Sequence, residues 1–63
     1  MSPHKIAEKE LAQAGFVLKR KGANHDIYYL PGSPGIIPLK RHDFNDNDLA
    51  YIQKEIEKIK EGA

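Results

Sequence analysis

Residues 19–30 read KRKGANHDIYYL. Three consecutive cations, Lys19, Arg20 and Lys21, run into Gly22, Ala23 and Asn24, and His25 follows at the head of a β-branched and aromatic run. Gly and Asn mark a turn because both tolerate left-handed backbone. The flanks, FVLKRK at 16–21 and HDIYYL at 25–30, are rich in strand formers. The stretch therefore reads as a β-hairpin. Period-two alternation puts Val17, Lys19 and Lys21 on one face, and Phe16, Leu18 and Arg20 on the other.

Working outward, Ser2-Pro3 is a helix start: serine offers a capping oxygen, and proline at the first helical position loses no needed N–H. His4 to Ala14 follows as helix, with Ile6, Ala7, Leu11 and Ala14 on one side, and Gly15 stops it. On the other flank, Pro31 to Gly35 (PGSPG) is a loop. Ile36 to Leu39 is a third strand, and Pro38 makes it an edge strand because proline donates nothing to a ladder. After a polar connection over Lys40–Asp43, Asn45 caps a second helix, with Asp46 and Asp48 complementing its dipole. Phe44 and Leu49 take the positions of a hydrophobic staple. Leu49, Ile52, Ile56 and Ile59 form an apolar stripe that ends before Gly62.

Each helix has one apolar face to cover, and a three-stranded sheet covers both if they lie on the same side. The expected fold is α+β, α-β-β-β-α, a three-stranded antiparallel sheet with two helices on one face. Residues 1–63 make a single small domain.

Composition narrows the function classes. There is no cysteine, hence no disulfide framework and no thiolate metal site. No apolar run reaches membrane-span or signal-peptide length, so the chain reads as soluble and cytoplasmic. The net charge of +1 hides an asymmetry. Residues 15–42 hold five Lys and Arg against Asp26 alone, while the flanks hold five against eight Asp and Glu. A positive middle on acidic helices suits a polyanion-facing sheet; ordinary salt balancing on a solvated surface is the competing explanation.

A histidine beside cations suits a phosphodiester. RNA carries its own nucleophile, the 2′-OH, so catalysis needs proton transfer and charge stabilisation, and no metal. Imidazole titrates at about 6.5, close to working pH, and serves the first need; cations serve the second. Lys19 and Lys21 are the expected RNA-backbone contacts, while Arg20 either pairs with an acidic group or binds RNA. Lys40, Arg41 and His42 form a second basic cluster before the second helix, where a helix N-terminus also attracts phosphate. His42 is a candidate partner to His25. No spacing of His, Asp and Glu suggests a metal site, and no cofactor is expected. His4 reads as a surface residue. Of Tyr28 and Tyr29, one belongs to the core and the other to the exposed face, where it could stack on a base. Asp26 has no evident role.

Gly15-Phe16, Arg20, Gly22-Ala23-Asn24-His25, Ile27-Tyr28, Ile37-Pro38, His42 and a helix opened at Asn45 occur here in an order and spacing that resembles the HicA toxin family over roughly residues 5–60. The resemblance implies a fold like that of a double-stranded-RNA-binding domain. It also implies a ribosome-independent mRNA interferase, the toxin of a type II toxin–antitoxin module, cleaving mRNA without a metal. Its catalytic histidine falls on His25; Asn24, in the same turn, is a further expected RNA contact read from its place beside that histidine. Its partner would be a HicB-type antitoxin protein covering the active surface. Many members have Gly-Ser-His where this chain has Ala23-Asn24-His25, so the serine hydroxyl is absent. The alternative reading is a non-catalytic RNA-binding module of the same fold.

Overall fold

The structure, a computed structural model, describes residues 1–62. Its elements are α1 (Pro3–Gln13), β1 (Val17–Lys21), β2 (His25–Tyr29), β3 (Ile36–Lys40) and α2 (Asp46–Gly62). The strands form one antiparallel sheet in the order β1-β2-β3. The α-β-β-β-α expectation holds, and Pro38 does lie on an edge strand.

Local chemistry accounts for the helix ends. Ser2 Oγ accepts from the Lys5 N–H at 3.3 Å, with Pro3 opening the first turn. Gly15 leaves α1 at φ +94°, a region costly for any residue with a Cβ. At the start of α2 the cap is reciprocal: Asn45 Oδ1 accepts from the N–H groups of Asn47 (2.9 Å) and Asp48 (3.1 Å), and Asp48 Oδ2 accepts from the Asn45 N–H at 3.0 Å. This is a capping box built from Asn and Asp. Phe44 and Leu49, the staple pair, both pack against the core.

Alternation along β2 and β3 sorts the side chains. Ile37 and Leu39 point inward and are fully buried with Ala7, Leu11, Phe16 and Ile52, each large apolar side chain contributing about 1.5–3 kcal/mol of burial. Tyr28 and Leu30 pack beside them. Burial, with Glu8 and Asp26 nearby, pushes the Tyr28 phenol above its ordinary pKa. Both helices thus cover one face. The other face carries His25, Ile27 and Tyr29 with their register partners Lys40, Pro38 and Ile36.

Three local expectations need correction. Strand β1 pairs Leu18 with Tyr28 but Arg20 with Ile27, so Lys19 is the extra residue of a bulge. A bulge resets the alternation. Arg20 therefore shares the face of His25, while Lys21, in register with Asp26, shares the inward one. Second, the turn uses no left-handed residue: among the described residues, Asp43 (φ +55°), Gly15 and Gly32 are those with positive φ. Gly22 is needed for space instead, because a Cβ there would lie 2.9 Å from the His25 carbonyl oxygen. Third, His4 is half-buried. Its ring meets Phe44 edge-on at 5.4 Å, and its Nδ1 lies 3.3 Å from Glu8.

Candidate RNA-cleaving site at His25

The turn before β2 is fixed from several directions. The Gly22 N–H donates to the His25 carbonyl at 2.8 Å, and the Arg41 N–H donates to the Asn24 carbonyl at 3.2 Å. The Arg41 guanidinium donates to the Gly22 and Ala23 carbonyls and to Asp26 Oδ1. Asp26 is only 8% exposed, and a carboxylate buried that far requires a charged, hydrogen-bonding partner. Arg41 is that partner, which gives Asp26 a role: together they tie the residue after His25 to the turn before it.

His25 itself is exposed, and it stands where two shallow depressions meet. The first, of about 380 Å³, lies between Arg20, the Gly22–Asn24 turn and Ile27. The second, of about 250 Å³, lies between Lys40, Pro38 and the start of α2, with Asp48 and Tyr51 on its far wall. Lys40 is the direct cross-strand partner of His25, and its ammonium lies 3.4 Å from Asp48 Oδ2. The Asn45 N–H first, and then the Lys40 charge, hold the Asp48 carboxyl below the usual carboxylate range, against the opposing effect of partial burial.

The basic residues of the sequence thus separate into groups. Arg20, Asn24 and Lys40 line the depressions with His25. Lys19 sits on the bulge, and Lys21 is in register with Asp26 on the other face. Arg41 turns inward, its guanidinium engaged by Asp26 and the turn. His42 is exposed and lines neither depression. Tyr51 is the residue the sequence reading passed over. It is 53% exposed and lies on α2 one position before the buried Ile52, an aromatic at the margin of the apolar stripe. Among the described residues no three His, Asp or Glu side chains gather as a metal site.

The outer face is also apolar in part. Val17, Tyr29 and Ile36 run across the three strands in register, with Val17 43% and Ile36 48% exposed, and Ile27 and Pro38 continue the patch toward His25. Among the described residues no helix is long and apolar enough to cross a membrane. Comparison with family models, curated proteins and solved structures finds no match for this chain.

Proposed function

We propose that this chain is a metal-independent endoribonuclease of the HicA type, the mRNA-cleaving toxin of a type II toxin–antitoxin pair, with His25 as its catalytic residue. The observation that carries the reading is the placement of His25: an exposed imidazole at the junction of two depressions, with Lys40 opposite it and Arg20 diagonal to it on the same face. In the proposed reaction the 2′-OH attacks the adjacent phosphorus. The P–O5′ bond breaks, and the products are a cyclic 2′,3′-phosphate and a 5′-hydroxyl. His25 takes the 2′-OH proton or supplies one to the leaving oxygen. Arg20 stabilises charge on the phosphorane, and Asn24 contacts the RNA from the turn.

The apolar patch of Val17, Tyr29 and Ile36 supports a protein partner on the same face. An uncovered apolar strip beside a charged site marks an interaction surface, and a HicB-type antitoxin docked there would block His25.

Expression of the wild type and of His25→Ala in a bacterial host without any antitoxin tests the assignment. The wild type is expected to arrest growth and degrade mRNA, and His25→Ala to lose at least about 100-fold in RNA cleavage while melting at the same temperature. Equal arrest and equal degradation by both would remove His25 from the chemistry. Purified wild type that binds RNA with a steep salt dependence yet leaves it uncut identifies the non-catalytic module instead.

A further inference from the structure

The two depressions beside His25 differ in charge, and the difference assigns them different parts of an RNA. Arg20 lines the first and pairs with no carboxylate among the described residues. That side suits a phosphate. In the second, the Lys40 ammonium is already neutralised by Asp48 at 3.4 Å, so a phosphate gains little there. What the second depression offers is flat apolar surface: the exposed Tyr51 ring on one wall and Pro38 on the other. Every nucleobase has a π-face that stacks on an aromatic side chain. A lone exposed tyrosine on a helix is ordinary; this one faces a concavity of about 250 Å³ that also contains His25.

Asp48 adds selectivity. Its Oδ2 accepts from both Lys40 Nζ and the Asn45 N–H, and its Oδ1 accepts from no described residue. A fixed carboxylate oxygen at a base edge accepts from an exocyclic amine. Cytosine, adenine and guanine carry one. Uracil offers its Watson–Crick N–H only between two carbonyls, which a carboxylate repels.

We infer that the depression between Pro38, Lys40 and Tyr51 is a nucleobase subsite, in which Tyr51 stacks on an amino-bearing base next to the scissile phosphate and Asp48 accepts its N–H. The inference rests on the endoribonuclease reading for the position of that phosphate, but the binding it claims is measurable without cleavage.

The test titrates the full chain with 2′-O-methyl adenylyl-adenosine and 2′-O-methyl uridylyl-uridine, neither of which can be cut through its 2′-oxygen. Tyr51 ring resonances are followed by NMR, and RNA cleavage is assayed in parallel. The adenine dinucleotide is expected to shift those resonances and to bind more tightly than the uracil one. Tyr51→Ala should weaken adenine binding about 10-fold, as lost stacking predicts, and Tyr51→Phe should retain it. Asp48→Asn should remove the preference for adenine while the melting curve confirms a folded chain. Equal binding of the two dinucleotides overturns the selectivity, and adenine binding unchanged in Tyr51→Ala overturns the subsite. Tyr51-dependent binding by a chain that cuts no RNA upholds the subsite and removes the catalytic reading. Cleavage indifferent to Tyr51, with no Tyr51-dependent binding, does the reverse.

Discussion

Between β1 and β2 the chain reverses through Gly22, Ala23 and Asn24, and all three carbonyls of that turn accept from Arg41. Between β2 and β3 it takes the longer route from Leu30 to Gly35. There the fastenings are the Ser33 N–H on the Leu30 carbonyl at 2.9 Å and a long contact of 3.5 Å from the Gly35 N–H to Ser33 Oγ. One connection is held by a buried ion pair, the other by local hydrogen bonds and the approach of Gly35 to Ile59. Apolar residues of similar volume often stabilise a core as well as a buried ion pair does. What the pair adds is position, and the position it fixes is that of His25. The Pro31–Gly35 loop has no such residue to hold.

The largest expected effect comes from breaking that tie. Arg41→Ala leaves the Asp26 carboxylate and the turn carbonyls without their donor. It should destabilise the fold by about 2–4 kcal/mol in urea unfolding, somewhat below the cost of breaking a fully buried pair because Arg41 is partly exposed. For a domain of this length, total stability is on the order of 3–9 kcal/mol, so the loss is a large share. Ser33→Ala, the matching change in the other connection, should stay within about 0.5 kcal/mol. If the two variants unfold at the same urea concentration, the two connections are equivalent and the argument from position fails.

Glycine substitutions sharpen the same contrast at lower cost. Gly22→Ala places a methyl group 2.9 Å from the His25 carbonyl oxygen; relieving that overlap should cost about 1–2 kcal/mol and, on the proposed endoribonuclease reading, also reduce RNA cleavage, because the atom that must move belongs to His25. Gly32→Ala meets open space and pays only for its φ of +89°, about 1 kcal/mol, with cleavage retained. Thermal melts with cleavage rates for both variants decide this, and equal loss of cleavage would show that the turn has no special claim on His25.

Legibility in the sequence followed the range of the interaction. Both helices, their caps at Ser2 and Asn45, the staple of Phe44 and Leu49 and the strand order were readable because each depends on residues a few positions apart. The faces of the cations were not. A bulge at Lys19 is a fact about pairing with β2, and no glycine marks it. Arg41 carried a signal that went unused: alternation along β3 puts residues 37, 39 and 41 inward, and Leu39 is in register with Asp26, the one carboxylate of the basic middle. The depression beside Tyr51 and the half-burial of His4 are illegible for a third reason. Both are set by how α1 and α2 pack against each other and against the sheet, which no local pattern encodes.

The smallest effect concerns acid, and it asks whether the bracing at the His25 end extends into α2. Asp48 closes the cap on Asn45 and meets Lys40, the strand neighbour of His25, and its carboxyl titrates below the usual range. A carboxyl with a depressed native pKa binds protons more weakly in the folded chain than in the unfolded one. Its contribution to stability is therefore complete above the ordinary carboxylate value of about 3.9 and is lost as pH falls from there through the native pKa. Unfolding followed from pH 6 down to pH 2 should show the wild type losing stability over that window, and Asp48→Asn, less stable at pH 6, should converge on it at the acid end. Parallel curves, with a constant offset between the two proteins, would mean that the carboxylate charge contributes nothing and that the bracing stops at Arg41.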